Sequence, residues 1–464
     1  MIGGIFRSIG TEIAVTAILL ASVTSGQKQA ALPVAERLDA YVRSFADSGN
    51  FTGVVLVARK GQVLFRQAYG MANYELRVAN SPSTRFHIAS VSKPFTAIAI
   101  LQLEEQGRLS VSDPVARFIP DFPNGDNIRL EHLLTHTSGI PNVNDLPDYD
   151  LFARSPHTAE QLVAKFSGLP LDFQPGGDYH YSNSNYNLLA LILEKIAGER
   201  YGDYVRRHIL EPAGMKDSGH DGDALQLIAN AATGYQPAGS SGYEKVPYLD
   251  WTNKTGNGSL YSTVDDLYRF DRALNTDTLL KAATRRKYFV EGKGNRFGWF
   301  QRQRSNRRVM SANGRSPGFT AALDRYPEDD ITVIVLSNSY ATMSQDPIAP
   351  ALGAIVFGEQ PERPPLFTAA NISPGILNSY EGQYQYGPDY FVPNAKFTLT
   401  VDGDALRLDL GTFRTPLVPV SGTEFLERNF LGKVSFHVGA GKKVEGLTYQ
   451  YAGKDFVARR LDGK

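Results

Sequence analysis

The chain has 464 residues, 42% of them hydrophobic and 21% charged, which is the balance of an ordinary globular protein long enough for two folded units. Lysine plus arginine equals aspartate plus glutamate at 48 each, so no net positive field exists to draw in nucleic acid or an anionic membrane surface. There is no cysteine, which excludes disulfides, thiolate metal sites, a cysteine nucleophile and a lipid-modified N-terminal cysteine.

Near the start, Arg7 precedes an apolar stretch at 13–23, and small and polar residues follow it. A basic start, an apolar segment of about 7–15 residues and small residues after it are the parts of a secretory signal. Residues 1–26 are therefore expected to be a signal peptide, and the protein to be exported, periplasmic or secreted. The run is too short to span a bilayer comfortably, and no later segment reads as transmembrane. Glu12 beside the run leaves a disordered or weakly amphipathic N-terminus as the alternative.

Residues 51–70, FTGVVLVARKGQVLFRQAYG, read as two strands around a Lys-Gly turn. The stretch 85–100, RFHIASVSKPFTAIAI, opens a helix whose apolar pattern runs through Ile98, Leu101 and Leu103 to a stop at Gly107. From about 110 to 230 the chain reads as helix and loop, with a clear helix at 185–198 ended by Gly198. Residues 318–339 read as a strand, a polar turn at 327–330 and a second strand. Strands at both ends with helices between them predict one α+β domain whose sheet joins its N- and C-terminal parts. The Pro-rich stretch 358–371 reads as a linker. Residues 372–464 alternate apolar and polar between Gly-containing turns, the pattern of a small all-β domain. The expected division is a signal at 1–26, an α+β domain at 27–357, the linker at 358–371 and the all-β domain at 372–464.

The chemistry centres on Ser90 and Lys93. The chain's 31 serines and 17 lysines produce about one Ser-x-x-Lys by chance. A second one, Ser25-Gly26-Gln27-Lys28, lies at the end of the signal segment. Context separates the two. A serine hydroxyl is a poor nucleophile until a base takes its proton. Positions i and i+3 share a helix face, so Lys93 is placed to meet the Ser90 hydroxyl. Pro94 fits the first turn of a helix, where a missing N–H costs nothing. The free N–H groups of that turn favour a developing negative charge. The apolar run 95–103 buries the helix, and a buried lysine is a base near neutrality.

With its neighbours, this stretch resembles the penicillin-recognising serine hydrolases. That superfamily contains the class C β-lactamases, D-alanyl peptidases, D-aminopeptidases and related esterases. SVSK after FHIA resembles the first motif of the family, and LEHLLTHTSGIPN at 130–142 resembles a segment of its class C-like branch. Tyr181-Ser182-Asn183, the only Tyr-x-Asn among 23 tyrosines, resembles the second motif. GNGSLYSTVDDLYRF at 256–270 resembles a Gly-rich wall followed by a helix. The likeness covers roughly residues 35–355. It implies an antiparallel sheet flanked by helices, with a mainly helical subdomain, and a vaguer match to accessory barrel-like domains at the C-terminus. It also implies roles. Ser90 attacks the substrate carbonyl, Lys93 acts as base or keeps the proton network poised, and Tyr181 carries the proton to the leaving group and later activates water. Asn183 orients Lys93 and binds the substrate amide. An ammonium on Lys93 favours the Tyr181 phenolate, which ordinarily forms near ~10.

The third motif departs from the family pattern of Lys or His, any residue, then Gly. Aligned through Gly318-Phe319, SANGRSPGF puts Gly314 at the motif glycine and Ala312 where the basic residue belongs. Arg315 stands where a backbone N–H, with that of Ser90, forms the oxyanion hole. Recognition of a substrate carboxylate is expected to be weakened, while a neutral ester or amide suffers less. The Arg315 side chain is a candidate substitute, although neighbouring strand residues point to opposite faces.

Other chemistries are poorly represented. His132 and His136 are four apart, but without His-Glu-x-x-His they read as hydrogen-bonding residues rather than metal ligands. No Gly-x-Ser-x-Gly, P-loop or dinucleotide fingerprint is present. Tyr380, Tyr384, Tyr386 and Phe397 are expected to be core and cross-strand packing. The reading is an exported serine hydrolase acting through an acyl-enzyme on a small ester, amide or peptide substrate, without metal or cofactor and without nucleic acid. The alternatives are a β-lactamase or D-Ala-directed peptidase, and a non-catalytic scaffold or ligand sensor of the same fold. The oligomeric state is left open.

Overall fold

A computed structural model describes residues 32–290, 297–341, 346–362, 369–411 and 413–461. The expected signal segment, with its Ser25-x-x-Lys28, and residues 363–368 of the expected linker lie outside them. Helix α1 (Val34–Asp47) leads into β1 (Gly53–Arg59) and β2 (Gln62–Tyr69). Lys60 and Gly61 between the strands both take positive φ, 51° and 78°, the pattern of a tight hairpin turn. Two helices that matter to the site follow, α2 (Lys93–Glu105) and α3 (Asn183–Ala197). Gly198 ends α3 in the left-handed conformation, φ 73°.

The chain then returns to the sheet as β3 (Phe300–Arg304), β4 (Arg307–Ser316), β5 (Phe319–Tyr326) and β6 (Ile331–Ser337). The six-stranded order is β3-β4-β5-β6-β1-β2, antiparallel throughout, so the two ends of the domain meet at β6 and β1. Strands β5 and β6 are buried along their whole length because both faces are covered. Val54, Leu56 and Leu336 face the helical layer with α2 and α3. Val55, Val57 and Val333 face α1 and α4 (Ile348–Val356) on the other side. Helix α2 is buried on every side from Lys93 to Leu101, as its unbroken apolar run requires.

After α5 (Pro374–Ser379), eight strands form a closed up-and-down barrel. They are β7 (Gly382–Tyr386), β8 (Lys396–Asp402), β9 (Ala405–Asp409), β10 (Arg414–Pro419), β11 (Glu424–Glu427), β12 (Lys433–Val438), β13 (Val444–Tyr451) and β14 (Lys454–Arg460). Pairing of β7 with β14 removes both sheet edges. Tyr380, Tyr384, Tyr386 and Phe397 are buried in the barrel's core cluster. Arg428 leaves the barrel and donates to the carbonyls of Gly49, Ala238, Gly239 and Gly242 in the N-terminal domain. No helix among the described residues is long and apolar enough to cross a membrane.

Candidate active site

The turn at Ala89–Ser92 is a single 3-10 turn that runs straight into α2. Ala89 takes a left-handed φ of 47°, a conformation that costs an L-residue roughly 1–2 kcal/mol. The twist leaves Ser90 partly open while Ala89, Val91 and Ser92 are buried. The turn is held from both sides. Val91 N–H donates to the Ile88 carbonyl at 3.1 Å, and the Ser92 hydroxyl accepts from Leu260 N–H at 3.1 Å.

Lys93 opens α2 with Pro94 beside it in the first turn. Its Nζ lies 3.1 Å from Ser90 Oγ, 2.8 Å from Asn183 Oδ1 and 2.9 Å from the Asn257 carbonyl. Burial, with Lys254 nearby, holds the Lys93 amine well below the ordinary lysine range. A neutral amine has two hydrogens and one lone pair. The two carbonyl-type oxygens take the hydrogens, which leaves the lone pair for the proton of Ser90. Tyr181 Oη stands 2.9 Å from Ser90 Oγ on the other side. Burial pushes the Tyr181 hydroxyl up, and the Ser90 hydrogen bond offsets only part of that.

The segment at 130–142 backs the second motif. Asn142 Oδ1 accepts from Asn183 N–H at 3.0 Å, and Asn183 Nδ2 donates to Asn144 Oδ1 at 2.8 Å. The side-chain amide of Asn183 is thereby fixed with its oxygen toward Lys93. The Pro141 carbonyl accepts from the hydroxyls of Ser182 and Ser184. His136 Nδ1 accepts from Ser182 N–H at 3.2 Å, and its ring lies 4.5 Å from that of Tyr181. Burial, with Lys93 nearby, lowers His136 to about 3, so the imidazole is neutral. His132 Nδ1 accepts from Arg129 N–H at 3.2 Å.

Strand β4 closes the site. Met310, Ala312 and Gly314 face the helical layer, and Gly314 comes so close that a Cβ there would stand 2.8 Å from Ser90 N. Arg315 follows on the strand with its side chain on the opposite face. The guanidinium carbon lies 4.0 Å from the centre of the Tyr340 ring and 4.4 Å from that of Phe430 in the barrel. The substitution of Arg315 for the motif's basic side chain is therefore ruled out by strand alternation, and buried Ala312 leaves that position apolar.

Ser90, Lys93, Tyr181 and Asn183 are brought into one hydrogen-bonded chain, with Gly314 and the Arg315 backbone beside it. Sequence reasoning missed Asn142, Asn144, Asn257 and Lys254. Asn142 ends the 130–142 segment, which was the available signal. Asn257 acts through its carbonyl, which no side-chain pattern announces.

The beta-lactamase family profile matches residues 38–356. Penicillin-binding protein 4* of Bacillus subtilis is 30% identical over 451 residues, spanning 91% of this chain and 98% of the relative. The octameric penicillin-binding protein homologue from Pyrococcus abyssi superimposes with a TM-score of 0.62 at 25% identity, over 91% of this chain and 99% of its own. D-amino acid amidase from Ochrobactrum anthropi SV3 shares the fold at 21% identity, with a TM-score of 0.61 over 70% of this chain and 98% of its own. The chain belongs to the beta-lactamase family and is a serine hydrolase of the penicillin-recognising type.

Proposed function

We propose that Ser90 is the nucleophile of this hydrolase and that its preferred substrates are esters, amides or short peptides without a free carboxylate next to the scissile bond. The observation that carries the reading is the chain Tyr181 Oη–Ser90 Oγ–Lys93 Nζ–Asn183 Oδ1, built around a buried lysine whose amine is held well below its ordinary range. Ser90 Oγ attacks the carbonyl carbon as its proton passes to Lys93. The oxyanion is held by the N–H groups of Ser90 and Arg315. Collapse breaks the bond to the leaving group, which takes the Tyr181 proton. A Tyr181 phenolate then faces a Lys93 ammonium. In the second half, the phenolate takes a proton from water, hydroxide attacks the acyl carbon, and Ser90 leaves with the proton of Lys93. The substrate preference rests on Ala312, which offers no charge to a carboxylate. The apolar stretch at 13–23 behind Arg7 supports export of the protein.

The second reading, a β-lactamase or D-Ala-directed peptidase, is favoured by the likeness to penicillin-binding protein 4* along nearly the whole chain. One experiment separates the two. The protein is incubated with a fluorophosphonate and, separately, with a fluorescent penicillin, and adducts are located by mass spectrometry with Ser90→Ala as control. A fluorophosphonate adduct on Ser90 without a penicillin adduct is expected. A stable penicillin adduct or penicillin turnover selects the second reading. No adduct with either probe, together with no ester hydrolysis, overturns both.

A further inference from the structure

The inward side chains of the barrel fall into two layers. Tyr384, Leu399, Leu406, Phe425, Phe436 and Leu447 pack solidly in one. Leu377 of α5 and Tyr380 seal that layer, the Tyr380 ring stacking on Phe436 at 3.9 Å. The other layer, with Tyr386, Leu408, Thr415, Glu427, Val434 and Tyr449, surrounds a cavity of about 620 Å³. An eight-stranded barrel has an interior that side chains just fill or that holds one small ligand. Half of this one is filled and half is not, and the open half is of the size that small-molecule sites have, ~300–1,000 Å³. Its wall is mainly aromatic and aliphatic, and the exposed Phe391 and Val392 carry the apolar surface onto the rim.

Three charged groups at the wall, Glu427, Arg315 and Lys396, decide what fits. Glu427 already accepts three hydrogen bonds and feels the charge of Arg315 nearby. Its carboxylate accepts from the Thr415 hydroxyl, from Asn429 N–H at 2.7 Å and from Phe430 N–H at 2.7 Å. It forms no salt bridge among the described residues. Arg315 enters the cavity from β4, wedged against Tyr340, Phe430 and, at 5.5 Å, Phe413. Among the described residues it has one hydrogen bond, a 3.3 Å contact from Nη2 to the Tyr340 carbonyl, and no salt bridge, and its Nε is buried without a partner. Lys396 adds a second positive charge to the same wall. A planar cation with unused donors at the side of an apolar cavity matches a carboxylate on an apolar body.

We infer that the open half of the barrel is a second binding site, which takes a long-chain carboxylate with its head group on Arg315 and its chain among the aromatic residues. The site is separate from Ser90 but continuous with it through the backbone of β4, where Arg315 follows Gly314.

The full chain is titrated with cis-parinarate, a fluorescent long-chain carboxylate, and with the corresponding alcohol. One saturable site is expected, with the alcohol weaker by about tenfold or more. In Arg315→Met the acid falls to the affinity of the alcohol. Leu408→Trp and Ala395→Trp, which fill the cavity from two walls, weaken both probes by about tenfold or more, each variant being checked for fold by circular dichroism. A diazirine-bearing analogue of the acid locates the site without any substitution, and label is expected on the barrel strands. Absence of saturable binding, binding untouched by the tryptophans in folded protein, or label confined to the N-terminal domain overturns the site. Equal affinity for acid and alcohol, or a gap that persists in Arg315→Met, overturns the head-group assignment.

Discussion

A methyl group on Gly314 would stand 2.8 Å from the amide nitrogen of Ser90 and 2.3 Å from the carbonyl oxygen of Ile88, so β4 and the nucleophile turn meet backbone to backbone. Those neighbours are main-chain atoms and cannot rotate aside. Gly314→Ala is expected to part the strand from the turn and widen the oxyanion hole. Loss of one oxyanion donor typically costs 10²–10³ in rate, so kcat/KM for a chromogenic ester is expected to fall by about 10² or more. Circular dichroism unchanged from wild type would attribute that loss to the site.

Lys93 must be uncharged to accept the Ser90 proton, and burial has already moved it in that direction. Acid protonates the amine, so kcat/KM is expected to rise with pH along a limb that reports the lowered Lys93 pKa. The limb should lie well below the ordinary lysine value of 10.5. Lys93→Arg keeps a cation but cannot lose its proton, and activity is expected to fall by about 10³ or more. Tyr181→Phe removes the proton carrier and is expected to cost about 10²–10⁴. Measurement of the pH–rate profile in wild type and of initial rates in both variants checks all three statements.

His136 predicts acid sensitivity of the fold. Its pKa is about 3 in the folded chain against an ordinary value of 6.5. The unfolded chain therefore binds a proton first, and stability is lost as pH falls from about 6.5 toward about 3. The loss from this one group is up to about 5 kcal/mol. His136→Asn, which offers the Ser182 N–H an acceptor without titrating, is expected to flatten the dependence of urea midpoints on pH over that window.

Ala312→His tests the substrate preference. A basic residue restored on the face shared with Gly314 is expected to raise turnover of a D-Ala-terminated peptide or a penicillin relative to a neutral ester. An unchanged ratio of the two kcat/KM values would show that Ala312 does not limit carboxylate recognition.

Arg428 predicts how the two domains are held. Its guanidinium satisfies four carbonyls at 2.7–3.0 Å, and truncation strands them in a buried seam. Arg428→Met is expected to destabilise the protein by about 3 kcal/mol or more and to split one calorimetric transition into two.

The hairpin at 51–70, the run after Lys93 and the alternation beyond 372 were all legible because each is a local pattern of period 2 or 3.6. Ser90, Lys93, Tyr181 and Asn183 were legible through their spacing and neighbours. The support of Asn183 by Asn142 and Asn144 was not, since those contacts span about forty residues of short helices and loops whose path only packing sets.

By itself, the sequence determined an α+β domain followed by a β domain, a serine–lysine pair at the head of a buried helix, and an apolar residue where a cation belongs. Those follow from periodicity, composition and residue identity, which are properties of neighbours along the chain. The tertiary structure decided how each group of the pair is surrounded, and burial is what lowers Lys93 and raises Tyr181. It alone decided where the Arg315 side chain goes. Alternation on β4 turns it away from the substrate, and the barrel docked on that face supplies the rings that hold it.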